Sequence, residues 1–149
     1  MANTRVQRVI EQWVRDTWLR RKYRRPFSAQ SVRLTSGGTF AFDAVSDDGR
    51  IVACISTSSA RTASDKQGAG KIHKIRSDML FLLLARARRR LALFTELDMA
   101  TFWRREQTKG RLPKRIEVVL VPLRDDMRLV LRKAQKRSAR EVSPAVTDL

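Results

Sequence analysis

Apolar residues recur at helical spacing at the start of the chain. Val6, Ile10, Trp13, Val14 and Trp18 fall on one face of a helix read over residues 3–25. Pro26 supports the stop, because the residue before a proline avoids the α region. Beyond it the pattern alternates. Ser31 to Ser36 alternates Val32 and Leu34 with polar residues, and Thr39 to Ser46 and Arg50 to Ser56 read as strands. Gly37-Gly38 and Asp48-Gly49 are turn signals, so residues 31–56 are expected to form an antiparallel meander.

Residues 57–70, TSSARTASDKQGAG, are small and polar and read as a loop. Helical spacing returns from Lys71 to about Arg88, with Ile72, Ile75, Met79, Leu82 and Leu83 on one face. Arg90 to Glu96 is a short strand. Asp98 is placed to cap a helix through about Gln107, with Phe102 and Trp103 turned inward. Ile116 to Val121 reads as a strand buried on both faces, and Asp125-Asp126 opens a basic helix to about Arg140. The order α-β-β-β-α-β-α-β-α predicts an α/β (α+β) fold, a mixed sheet of about five strands flanked by helices. A helix between the third and fourth strands implies a crossover and a parallel pair. The chain reads as a single domain over 1–142 with a frayed tail at 143–149.

Charge changes the picture most. Lys+Arg number 32 against 15 Asp+Glu, a formal net charge of +17. An arginine-rich excess of this size favours a polyanionic partner, nucleic acid first, and DNA before RNA. The hydrophobic share of 42% is enough for a packed core. The longest apolar run, Met79 to Ala85, is far too short to cross a membrane. No secretory h-region is visible among the charged first residues, and one cysteine excludes an internal disulfide or a multi-cysteine zinc site. A cytoplasmic location is expected.

The stretch GGTFAFDAVSDDGRIVACISTS places one carboxylate, Asp43, in an apolar strand, which is costly without a purpose. With Asp48-Gly49 as a two-residue turn, Val45 faces Val52, Asp43 faces Cys54 and Ala41 faces Ser56. Cys54 and Ser56 share a face by strand alternation. This layout resembles the restriction-endonuclease-like nucleases, the PD-(D/E)xK superfamily, over roughly residues 5–122. That family has an α-β-β-β-α-β core, an Asp on the second strand, an acid-x-Lys triplet on the third and often a Glu on the first helix. Asp43 matches the first acid and Glu11 the helical Glu, while Cys54-Ile55-Ser56 stands where acid-x-Lys belongs. The resemblance implies a metal site on Asp43 and no required cofactor if the site is degenerate, or Mg²⁺ if it is active. Cysteine is a poor Mg²⁺ ligand and serine carries no charge, so the direct implication is a fold kept for binding with cleavage lost. The alternative is an active nuclease with relocated groups, drawn from Glu11, Asp47, Lys71, Lys74 and Asp78. A second alternative is a structural or interaction protein of a nucleoprotein assembly. Family members often dimerise, so a homodimer is possible.

Other signals are weaker. His73 is the sole histidine and reads as a surface or capping residue; Ser58, Ser59 and Ser64 lack a nucleophile elbow. Gly68-Ala69-Gly70-Lys71 departs from the full phosphate-loop pattern, although glycines before a helix can offer backbone N–H groups to phosphate. The candidate nucleic-acid contacts are the basic segments: Arg21, Lys22, Arg24 and Arg25; Lys66, Lys71 and Lys74; Arg104, Arg105, Lys109, Arg111, Lys114 and Arg115. Arg86, Arg88, Arg89 and Arg90 divide evenly between binding and closing the second helix. No base-reading motif is visible, so affinity is expected to rest on phosphate and to fall with salt.

Overall fold

The first apolar stripe forms a helix, but not a uniform one. In the computed structural model, which describes residues 4–61 and 68–142, α1 (Thr4–Trp13) runs into a π-helical segment (Val14–Leu19) and closes as α2 (Arg20–Tyr23). Bonding from i to i+5 brings residues five apart onto one side. Val14 and Leu19 are accordingly both fully buried. Leu19, which the sequence places in a basic run, is therefore core. Trp18 is only half-buried, with the Lys22 ammonium over its ring at 5.2 Å. The helix stops at Tyr23, short of Arg25, because Arg24 takes a left-handed φ of 54°.

The first strand lies earlier than its alternation suggests. β1 is Phe27–Arg33, not Ser31–Ser36. Leu34 to Gly38 forms the turn instead: Gly37 takes a φ of 99°, which glycine tolerates, and Leu34 N–H donates to the Gly38 carbonyl at 2.8 Å. β2 (Thr39–Ser46) and β3 (Ile51–Ser56) follow as expected. Then come α3 (Ala69–Leu84), β4 (Arg89–Phe94), α4 (Leu97–Thr108), β5 (Ile116–Leu120) and α5 (Asp125–Val142). The chain is α+β, with one mixed sheet in the order β1-β2-β3-β4-β5. The β1-β2 and β2-β3 pairs are antiparallel, and β3-β4 and β4-β5 are parallel. The crossover through α3 is as predicted.

Helices cover both faces. Val45, Val52, Cys54, Ala92 and Phe94 pack under α3 and α4 with Ile72, Ile75, Met79 and Trp103. Ala44, Ala53, Ile55, Leu91 and Leu93 pack under α1, the π segment and α5 with Ile10, Val14, Leu19 and Leu131. Each large apolar side chain so buried contributes about 1.5–3 kcal/mol.

Three expectations fail for local reasons. α3 ends at Leu84 rather than Arg88, because Ala85 is extended and Arg90 reaches back to cap the helix. Arg90 donates to the carbonyls of Leu82 (2.9 Å) and Ala85 (2.8 Å). Asp98 does not cap α4. Glu96 holds the cap position, while the Asp98 carboxylate accepts the Ala60 N–H at 3.1 Å and the Ser59 hydroxyl. β5 is an edge strand, so most of it is half-exposed rather than buried on both faces. Lys66, Ser64 and the expected tail at 143–149 lie outside the described residues. Among the described residues, no helix is long and apolar enough to cross a membrane.

Phe42 is 1% exposed and belongs to the core beneath α3 and α4. Phe42→Ala should cost about 3–5 kcal/mol, seen as a lower urea midpoint with an unchanged m-value. A shift of less than about 1 kcal/mol would refute this placement.

Candidate functional site

The site begins with a fault in a ladder. Along the β1-β2 pair, Ser28 partners Val45 but Gln30 partners Phe42. Two residues of β2, Asp43 and Ala44, therefore stand opposite one, Ala29, which is a β-bulge. The bulge breaks strict alternation, and Phe42 and Val45 both enter the core under α3 and α4. β2 and β3 pair at Ala44↔Ala53 and Val45↔Val52, the register expected. Among the described residues that pairing stops there, so Asp43 and Cys54 do not form the next rung. Instead Asp43 Oδ2 accepts the Ile55 N–H at 2.7 Å, where a ladder carbonyl would otherwise stand.

Groups from both helical layers meet at this fork. α1 supplies Glu11, and the π segment supplies Arg15, whose Nη1 donates to the Asp43 carbonyl at 3.2 Å. α3 supplies Lys74 and Asp78, spaced to sit one turn apart on the same flank. These charges act on one another through space, without an ion pair or hydrogen bond among Glu11, Asp43, Lys74 and Asp78. Burial raises the Asp43 pKa, opposed by the Ile55 N–H, Lys74 and Arg15. Burial raises that of Glu11, and the Asp43 charge raises it further, with Lys74 and nearby arginines opposing. Burial pushes Asp78 up to about 6 against the pull of Lys74, and Asp43 adds to the rise. Among the described residues, three half-buried carboxylates thus act with the exposed Lys74, and burial raises the pKa of each acid.

The expected strand positions take no part as ligands. Cys54 is buried, and burial followed by the charges of Asp78 and Asp43 holds its thiol well above the ordinary range, so it stays neutral. The Ser56 hydroxyl accepts the Ser58 N–H at 3.3 Å in a local turn. Glu11 joins Asp43 as the sequence suggests. Among the described residues Lys74, rather than Lys71, acts on the three acids; both lysines are exposed, and Lys71 lies at the start of α3. Asp47 is exposed at the hairpin turn, its N–H donating to the Pro26 carbonyl at 3.0 Å, and does not join the cluster. Asp78 is the residue least visible in sequence, although its i, i+4 spacing from Lys74 was the available signal.

Among the described residues, no three His, Cys, Asp or Glu side chains form a group that could hold a metal ion. A Mg²⁺-type ion often needs only one or two carboxylates and takes its other oxygens from water and substrate phosphate. Asp43, with Asp78 or Glu11, fits that donor set, and Cys54 does not.

Several arginines serve the fold. Arg25 pairs with Asp48, and Arg89 forks onto Glu117 at 2.9 and 2.6 Å while lying over the Tyr23 ring. Arg76 and Arg111 both engage the buried Glu106. Arg21, Arg24, Arg104, Arg105, Lys109, Lys114 and Arg115 are exposed. They lie on α2, on α4 and in the loop before β5, not at the fork. No family model matches the chain, and no curated protein or solved structure matches it significantly.

The raised carboxylates fix a pH dependence. The folded-state pKa of Asp78, about 6, lies above the ordinary 3.8, so the folded protein binds the proton more tightly and loses stability as pH rises between those values. Glu11 and Asp43 act in the same direction. Asp78→Asn should flatten that slope and leave the protein more stable than wild type at pH 7 by urea unfolding. Parallel wild-type and variant pH profiles would contradict it.

Proposed function

We propose that this protein acts on nucleic acid, DNA being the first substrate to test, as a restriction-endonuclease-like phosphodiesterase whose catalytic groups have moved. The observation that carries the reading is Lys74 on α3, which among the described residues is the lysine that acts on Glu11, Asp43, Asp78 and Cys54 together. An ammonium and a carboxylate from α3 here replace the acid-x-Lys pair that Cys54 and Ser56 lack. The α-β-β-β-α-β order and the net charge of +17 agree with it.

Asp43, with Asp78 or Glu11, would hold a Mg²⁺-type ion, which would supply charge neutralisation at phosphate and a more acidic bound water. The chain's own groups do the rest. The Ile55 N–H fixes the Asp43 carboxylate, and the Arg15 guanidinium ties the same residue's carbonyl to the π segment. Lys74 offers its ammonium to a non-bridging phosphate oxygen, where negative charge grows as the bond breaks. Asp78, which burial pushes up to about 6, is still ionised at neutral pH and so available as a ligand. Binding without cleavage is the second reading, favoured by the lack, among the described residues, of three side chains grouped for a metal.

The test is cleavage of labelled DNA and RNA with Mg²⁺, Mn²⁺ or EDTA. Asp43→Asn and Lys74→Met should each slow metal-dependent cleavage at least about 100-fold, while Lys71→Met changes it only a few-fold. Tight, salt-sensitive binding with no cleavage under any metal would replace this reading with the second. Independently of activity, Mg²⁺ should raise the melting temperature of wild type at pH 7 and leave that of Asp43→Asn unmoved.

A further inference from the structure

The other flank of α3 carries a second charged feature. Arg76 lies roughly 200° around the helix from Lys74, facing α4 rather than the fork. Two clefts meet at Phe102, one of about 640 Å³ between α4 and residues 60–61 and one of about 600 Å³ between α3 and α4. Each is large enough for a ligand of nucleotide size. Arg61 and Arg105 stand in the first, and Arg76, Lys109 and Arg111 in the second.

The aromatic and the cations are held in place. The Phe102 ring meets fully buried Trp103 edge-on at 5.0 Å and 84°, while Arg76 lies over the Trp103 ring at 5.3 Å. Glu106, whose side chain is 8% exposed, bonds Arg76 at 3.3 Å and Arg111 at 2.9 Å. It neutralises one of the two charges and leaves both guanidinium groups more than half exposed, at 52% and 61%. Asp98 lines the first cleft and offsets one of its two arginines, so the clefts together keep a positive balance, with donors on each side of a half-buried aromatic. That is the composition that binds single strands: phosphates on arginine and lysine, a base on the ring. A duplex presents no unstacked base to such a ring.

We infer that the α3–α4 cleft is a binding path for single-stranded nucleic acid, with Phe102 as the base-stacking platform and Arg105 and Lys109 as phosphate contacts. The inference rests on the proposed nucleic-acid function and adds the substrate class: a strand with an unpaired segment. The cleft extends to Ala69, on the first turn of α3, the helix whose opposite flank carries Lys71 and Lys74.

Fluorescence anisotropy of the full chain with labelled dT12 and with a 12-base-pair blunt duplex tests it. Phe102→Leu keeps an apolar side chain and removes the ring. It should weaken dT12 binding about ten-fold and leave duplex binding within about two-fold. Arg105→Gln with Lys109→Gln, both exposed, should make the log K against log salt slope for dT12 shallower by about 1.4. This second variant decides the matter should Phe102→Leu fail to fold. Unchanged dT12 affinity and slope, with duplex still bound, overturns the cleft and leaves the proposed function standing. Equal weakening of both ligands by Phe102→Leu overturns the stacking role. No binding of either ligand by wild type overturns the cleft and the nucleic-acid reading together.

Discussion

The hydrogen bond from the Ile55 N–H to Asp43 Oδ2 is the contact on which the site depends. A bulge leaves β2 with one residue too many against β1, and β2 parts from β3 beyond Ala44. The Ile55 amide would then be an unpaired donor in a buried region, a loss of about 1–3 kcal/mol. The Asp43 carboxylate meets that need and is itself fixed by doing so. One aspartate thus repairs a broken ladder and presents a charged group at the opening. An amide side chain can keep the hydrogen bond while removing the charge, which makes Asp43→Asn more informative than alanine.

The opening also explains why groups from opposite layers act together. In an unbroken sheet, Glu11 from α1 and Lys74 and Asp78 from α3 would be separated by a continuous backbone. At the fork Asp43 acts on both Glu11 and Asp78, and Lys74 acts on all three acids. The π segment contributes here too. Its i to i+5 pattern buries both Val14 and Leu19, and Arg15, next to Val14, reaches the Asp43 carbonyl. Helix irregularity and strand irregularity therefore meet at the same residue.

The periodic elements were legible because burial and spacing agree: the meander, the α3 crossover and the Val45↔Val52 register all follow from alternation and turn residues. The bulge was not legible, because FAFDAV reads as plain alternation and only the pairing with β1 reveals the extra residue. Leu19 was hidden within a run of basic residues, since a π segment changes which positions face inward. β1 was placed too late because Ser28, Ala29 and Gln30 carry no apolar signal on an exposed edge strand. Asp43 and Glu11 could be named from their places in the chain order. The choice of Lys74 over Lys71 needed the flank of α3 in three dimensions.

On the proposed reading, a working pair on a helix rather than a strand has a cost that constrains the strand. A carboxylate at position 54 would add a fourth negative charge beside Asp43 and Asp78, in a position where burial already holds a thiol neutral. Lys74 alone could not balance it. The small, uncharged Cys54 therefore suits the proposed arrangement at that position. The same reasoning separates the two flanks of α3. The side that holds Lys74 among three acids favours a cation, and the side that holds Arg76 and Arg111 against one buried Glu106 favours an anion. A polyanionic strand with its bound cations can satisfy both, and a small neutral ligand can satisfy neither.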